Sequence, residues 1–250
     1  MSNPFDLSGR VALVTGASSG IGQAIAVALA EAGADIAAVS RRKPGETEQA
    51  VKAAGRNFFK IVADLESTAP IAGIVAQSVE RFGRIDILVN GAGITRRAEA
   101  MDLTEADWDA VLDVNLKSAF FLTQAVAKTM LGRGGKVVNV ASLLSFQGGI
   151  RVAAYTAAKS GLAGVTRILA NEWAAKGINV NAIAPGYVET ELTGPLRRDP
   201  IRNREILERI PAGRWGRPSD MGGAAVFLAS AASDYVHGAI LPVDGGWLAR

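Results

Sequence analysis

The sequence predicts an α/β protein: a single domain built on a doubly wound parallel sheet with helices on both faces. Three observations predict it. Short apolar runs alternate with longer helical patterns from one end of the chain to the other. The runs are continuously apolar rather than alternating, as strands buried on both faces require. A glycine-rich turn joins the first run to the first helix. Strand–helix–strand units with right-handed crossovers close into such a sheet, the Rossmann type.

Taken in order, "RVALVTG" (10–16) reads as a buried strand and "GIGQAIAVALAEAG" (20–33) as an alanine-rich helix ended by glycine. "ADIAAVS" is a second strand, followed by a helix to about Ala54 and a third strand, "NFFKIVAD". A helix over 67–83 precedes the fourth strand, "IDILVNGAG", and a longer helix from about Thr104 to Leu131 leads to the fifth, "GKVVNVAS". The next helix runs to about Ala175 and the sixth strand is "INVNAIAPG". A polar, proline-bearing stretch over 187–218 is too long for an ordinary connection and is expected to be a substrate lid. A helix over 219–230 and a last strand, "AILPVDG", complete the domain.

The 250 residues, 49% hydrophobic, can fill one large core. A formal net charge of only +3 and no dense basic run argue against a nucleic-acid partner. With no cysteine and a single histidine, His237, thiol nucleophiles, disulfides and a multi-histidine metal site are excluded, and no metal is expected. No apolar run approaches a membrane span or a signal core, so a cytoplasmic protein with no membrane partner is expected.

The sheet type fixes where a ligand goes: beyond the carboxyl ends of the strands. In "TGASSGIG" (15–22), Gly16, Gly20 and Gly22, with Ser18, Ser19 and Ile21 between them, let the backbone approach a pyrophosphate at the helix N-terminus. The spacing is not the usual G-x-G-x-x-G, and a plain structural turn is the competing reading. Ser40–Arg41, Asp64–Leu65 and Asn90, Ala92 and Gly93 of "NGAG" fall at the ends of the second, third and fourth strands. "VSRRK" carries two arginines and no acid where an NAD ribose would want a carboxylate. Bidentate guanidinium–phosphate pairing therefore favours NADP(H), with NAD(H) possible. In "AAYTAAKSG", Tyr155 and Lys159 stand one helical turn apart and share a face.

"TGASSGIG", "NGAG", Asn115 in "VLDVNLKSAF", Ser142 in "VNVAS", "YTAAK" and "IAPG" together resemble the short-chain dehydrogenase/reductases, over essentially the whole chain. Gly91 departs from the pattern, standing where that family usually has a second asparagine. The resemblance implies a catalytic set. Tyr155 would exchange a proton with the substrate oxygen, its pKa lowered by the neighbouring Lys159 ammonium. Ser142 would hold the same oxygen, Lys159 would also reach the nicotinamide ribose, and Asn115 would position a water. "PGYVET" resembles the family segment that grips the nicotinamide carboxamide, with Val188 and Thr190 the candidates by position and Pro185 and Gly186 also implied to bind the cofactor. Ser145 is a less well placed alternative to Ser142.

"LLSFQGGIRV", "NEWAAKGINVNAIAPGY", "RIPAGRWGRPSD" and "VDGGWLAR" resemble one branch, the 2-deoxy-D-gluconate 3-dehydrogenase or 2-keto-3-deoxygluconate 5-dehydrogenase group. That implies ketone–alcohol chemistry on a deoxy or keto sugar acid. Arg96, Arg97 or Arg151 would read its carboxylate and Gln147 its hydroxyls. A 3-oxoacyl reductase or a reductase of alginate-derived keto-uronates is the alternative within the class. A cofactor-sensing binding module is the alternative outside it. The family also implies a homotetramer, with the tryptophan and leucine of "VDGGWLAR" exposed for burial against a neighbour.

Overall fold

The computed structural model describes residues 3–250. Its elements are β1 (Val11–Thr15), α1 (Gly20–Glu31), β2 (Asp35–Ser40), α2 (Gly45–Ala53), β3 (Phe58–Val62), α3 (Ile71–Phe82) and β4 (Ile87–Asn90). There follow α4 (Glu105–Leu112), α5 (Ser118–Met130), β5 (Gly135–Val140), α6 (Ala153–Trp173) and β6 (Ile178–Pro185). The chain ends with α7 (Gly194–Arg198), α8 (Pro200–Arg209), α9 (Gly222–Ala229) and β7 (Ile240–Val243). The seven strands are all parallel, in the order β3-β2-β1-β4-β5-β6-β7. The doubly wound single-domain sheet is as the sequence predicts.

Burial explains the composition of the strands. Every residue of β1 and β6 is buried, because helices cover both faces. At the edge, β3 leaves Lys60 and Val62 exposed. One face is sealed by α1 and α9 over Val14, Ile36, Val89 and Val138. The other is sealed by α3 and α5 over Leu13, Leu88, Val137 and Val180. Truncating a fully buried side chain such as Leu122 to alanine should cost about 2–5 kcal/mol.

Two expectations about elements change. The long helix from Thr104 to Leu131 is capped by the Thr104 hydroxyl, which accepts from Asp107 N at 3.2 Å, but it is interrupted. A π-helical turn over Asp113–Lys117 separates α4 from α5, and it carries Asn115. Such turns widen the helix by one residue, and they occur disproportionately at functional sites. The 187–218 stretch is not a simple loop. It holds α7 and α8, with the Asp199 carboxylate capping α8 by accepting from Ile201 N and Arg202 N.

Small residues on α6 bring it close to its neighbour. A Cβ placed on Gly161 would come 2.9 Å from Leu116, and Ala154 and Ala158 pack with Val111 of α4. That close approach sets Tyr155 and Lys159 beside the π turn.

Candidate active site

A cleft of about 470 Å³ opens at the carboxyl ends of β1, β2, β4, β5 and β6, across the point between β1 and β4 where the winding direction reverses. It is where a doubly wound sheet holds its ligand.

At one end the backbone itself is the wall. Gly16 and Gly20 have φ of +70° and +59°, which favour glycine. A Cβ on Gly22 would collide with the Gly16 carbonyl, so α1 and β1 can meet this closely only through glycine. Ser18, Ser19, Gly20 and Ile21 line the cleft where α1 begins. The family's second asparagine has no room here: a Cβ on Gly91 would lie 2.7 Å from the Thr15 carbonyl. Thr15, which the sequence reading missed, fastens this contact, its hydroxyl accepting from Gly91 N at 3.0 Å and Ala92 N at 3.1 Å.

Ser40, Arg41, Asp64, Leu65, Ala92 and Gly93 line the cleft as expected, joined by Arg42. Asn90 does not. It is buried under the sheet's end, its amide donating to Thr123 Oγ1 and Asn139 Oδ1, each at 2.8 Å. Parallel strands alternate their faces, and its position points it into the core. No acid stands at Ser40 or Arg41, and the two arginines are held by carboxylates: Arg41 by Glu66, outside the cleft lining, at 3.4 Å, and Arg42 by Glu191, on it, at 2.9 Å. A backbone-walled groove at a helix N-terminus, ending on two guanidiniums, fits a dinucleotide with a phosphorylated ribose.

At the other end four elements converge. Ser142 lies two residues past β5, where its hydroxyl accepts from Leu144 N at 3.1 Å and is close enough to the Tyr155 phenol to lower its pKa. It is therefore both a cap and a partner of the tyrosine. Lys159 is 3% exposed; its ammonium donates to the Val140 carbonyl at 2.7 Å and stands 5.5 Å from the Tyr155 ring centre. Asn115 donates to Ile94 O at 2.9 Å and Val111 O at 2.8 Å, leaving its buried Oδ1 without a partner. A Cβ on Gly93 would come 2.8 Å from that oxygen and 3.8 Å from Lys159 Nζ, so Gly93 keeps the space between them open. An orphaned acceptor facing open space beside an ammonium is suited to a bound water. Ser145 is excluded from this group, its hydroxyl donating to the Lys159 carbonyl at 2.7 Å. His237 bonds Asn179 through Nε2 at 3.2 Å, a structural contact.

The electrostatics overturn one expectation. Burial pushes the Tyr155 phenol up to about 12, against the lowering effects of the Ser142 hydrogen bond and the Arg97 charge. Burial also pushes Lys159 down to about 8. In this enclosed site the cost of desolvating a phenolate outweighs the pull of neighbouring cations. The phenol is thus a stable proton donor through neutrality, and the lysine is the group that titrates near it.

The predicted substrate contacts separate. Arg96 lines the cleft but pairs with Asp107 at 3.3 Å. Arg151 is exposed, left-handed at φ +61°, paired with Glu99 at 2.5 Å, and does not line the cleft. Gln147 also lies off the cleft, accepting weakly from Arg209 at 3.4 Å. Arg97 also stands outside the cleft lining, but it makes no ion pair among the described residues and is near enough to act on Tyr155. Desolvation lowers its proton affinity, while the hydroxyls of Tyr187 and Tyr155 raise it and Arg202 lowers it, so its charge is felt at Tyr155. Pro185, Gly186, Val188 and Thr190 line the wall after β6. Thr193 braces them, accepting from Thr190 N at 3.1 Å and donating to Val188 O at 2.6 Å.

Trp247 is not exposed. It is buried among Leu143, Ile206, Ile210 and Trp215, packs against Tyr187 with ring centres 4.7 Å apart and planes tilted by 57°, and carries the Arg209 guanidinium 4.1 Å above its ring. Leu248 is half-buried beside it. The C-terminal segment folds back under α8 within its own chain, a contact between residues 40 apart that no local pattern announces.

A family model described as enoyl-(acyl carrier protein) reductase, of the short-chain alcohol dehydrogenase type, matches residues 16–248. The chain is a short-chain dehydrogenase/reductase. This dehydrogenase is 56% identical over 250 residues to the 2-dehydro-3-deoxy-D-gluconate 5-dehydrogenase of Dickeya dadantii, covering 99% of each chain. A crystal structure from Agrobacterium tumefaciens with bound NADP, named as a candidate 2-deoxy-D-gluconate 3-dehydrogenase, superposes with a TM-score of 0.94 at 62% identity and 100% coverage of both chains. The gluconate 5-dehydrogenase of Burkholderia cenocepacia, in complex with NADP and tartrate, superposes with a TM-score of 0.93 at 40% identity, over 99% and 98% of the two chains. The dehydrogenase is accordingly an NAD(P)-dependent oxidoreductase of CH–OH groups. None of its helices is long and apolar enough to cross a membrane, among the described residues, nor do those residues form a cluster able to hold a metal.

Proposed function

We propose that this dehydrogenase interconverts a ketone and a secondary alcohol on a deoxy or keto sugar acid of the 2-dehydro-3-deoxygluconate kind, with NADP(H) preferred. The reading rests on the convergence of Ser142, Tyr155 and Lys159 at the cleft's inner end, with the unpaired Arg97 in electrostatic reach of Tyr155. The names of the similar enzymes supply the substrate class, and Arg41 and Arg42 support the phosphorylated cofactor.

When bound, the nicotinamide supplies or removes a hydride at the substrate carbon. Ser142 holds the substrate oxygen, and the raised phenol of Tyr155 keeps its proton until that oxygen becomes basic, then donates it. Lys159, near 8, is poised to replace the proton, and the open space kept by Gly93 beside Asn115 Oδ1 provides a place for a water between lysine and solvent. Val188 and Thr190 would fix the carboxamide, and with it the face of the ring that meets the substrate. Arg97 would receive the substrate carboxylate, since Arg96 and Arg151 already hold carboxylates of their own. The 187–218 segment would close over the sugar as a lid.

Assays on uronate-derived keto acids and their alcohols, each with NADPH and NADH, test the reading. Turnover of an acidic sugar, with KM raised at least tenfold in Arg97→Ala and much less in Arg151→Ala, is expected. Turnover of uncharged ketones in preference to every acidic sugar would overturn it. The exposed Trp108, Phe121 and Ile168 of α4, α5 and α6 support a homotetrameric assembly, which light scattering would check; we also propose a cytoplasmic location.

A further inference from the structure

The two ends of the cofactor cleft are physically tied. Arg42, two residues past the end of β2, pairs at 2.9 Å with Glu191, which follows Thr190, the residue proposed above to hold the carboxamide. The residues are 149 apart in sequence, and their side chains are 70% and 74% exposed. The ion pair spans the mouth of the cleft, with both partners on its lining. The backbone on each side is anchored: the Ser40 hydroxyl donates to the Arg42 carbonyl at 2.6 Å, and Thr193 braces residues 188–190. An ion pair this exposed contributes little to folding. Its place, between the ribose-phosphate end and the carboxamide end, gives it another use.

We propose that Glu191 is a displaceable counter-ion of Arg42: it holds the guanidinium in the cofactor-free enzyme and yields it to the 2′-phosphate of NADP(H), so that Glu191 sets the ratio of NADP(H) to NAD(H) affinity. The inference rests on the reading that Arg42 meets that phosphate. A phosphate dianion offers the guanidinium more negative charge and a bidentate face, so it outcompetes a single exposed carboxylate. NAD(H) has no group to make the exchange and binds with the pair intact. Every NADP(H) molecule must therefore break the pair, and NAD(H) need not. Glu191 works against the arginines' preference and keeps it moderate.

Calorimetric titration of NADPH and NADH into the wild type, Glu191→Gln, Arg42→Ala and the double variant, without substrate, tests this. Removing a surface ion pair that the ligand must break should tighten NADPH by roughly two- to fivefold. NADH affinity should stay unchanged in Glu191→Gln, Glu191→Asp should behave as wild type, and the gain should vanish on the Arg42→Ala background. If Arg42→Ala costs NADPH no affinity, the reading of the phosphate site fails, and the inference with it. If Arg42→Ala weakens NADPH but Glu191→Gln leaves it unchanged, or shifts both cofactors equally, the inference alone falls.

Discussion

The floor and the roof of the cleft are built differently. On the floor, Asn115, Ser142 and Lys159 are buried and fixed by hydrogen bonds to backbone groups of the sheet ends and the π turn. On the roof, α7 and α8 rest on one apolar cluster around Trp215 and Trp247, and their charged contacts, such as Arg197 to Glu189 at 3.4 Å, are exposed. Proton and hydride transfer need atoms held within fractions of an ångström, and a buried network provides that. Admission and release of a polar substrate need a surface that parts at little cost, which exposed ion pairs allow. The difference carries its own penalty: the floor keeps an ammonium where water would otherwise solvate it.

The contrast can be broken first at the floor's hydroxyl. Tyr155→Phe should lower kcat/KM by about 10²–10⁴, the range for losing a positioned proton donor, while NADPH titration stays near wild type. Activity within tenfold of wild type would place the proton donor elsewhere.

The buried ammonium should be visible in stability. Below about 8 Lys159 is charged in both states, and the folded state bears the full desolvation cost. Between about 8 and 10.5 the folded protein holds fewer protons than the unfolded one, so unfolding free energy should rise with pH by about 3 kcal/mol in all. Chemical denaturation across that window should show the rise in wild type and its absence in Lys159→Met. Above 10 the raised Tyr155 pKa acts the other way, because the unfolded phenol ionises first and stability falls.

A single methyl group should disturb the floor without removing any of its polar side chains. In Gly93→Ala the new Cβ meets Asn115 Oδ1 at 2.8 Å. Displacing that amide should lower kcat by up to about 100-fold with a smaller change in KM for cofactor. A fall in cofactor affinity alone would show that the open space serves the dinucleotide instead. The roof's exposed pair should give the smallest effect: Glu189→Gln should cost less than about 1 kcal/mol in thermal denaturation and shift substrate KM by under threefold. A larger loss would make the roof as rigid as the floor.

Much of this was legible in the order of residues. The strands announced themselves because parallel strands buried on both faces are predominantly apolar, and the glycine turn because its positive φ strongly favours glycine. The Tyr155–Lys159 pair was readable because four residues make one helical turn. Other features depend on contacts between distant segments. Asn90 sat in the right motif yet turns into the core, where Thr123 and Asn139 are waiting for its amide. Gln147 and Arg151 followed Ser142 closely in sequence, but the loop carries them away from the cleft. Thr15 stood inside "TGASSGIG" without a role of its own, and Thr193 and Glu191 had no motif; nearness to the glycines and to "YVET" was the available signal.

The amino-acid order alone determined the sheet, its winding and the residue types at the strand ends, since hydrophobic periodicity and backbone sterics act over a few neighbours. The tertiary structure decided the protonation of Tyr155 and Lys159, which arginine stays unpaired and what covers Trp247. Those depend on how much water and which charges lie within a few ångströms, and such neighbours come from segments that the chain separates by tens of residues.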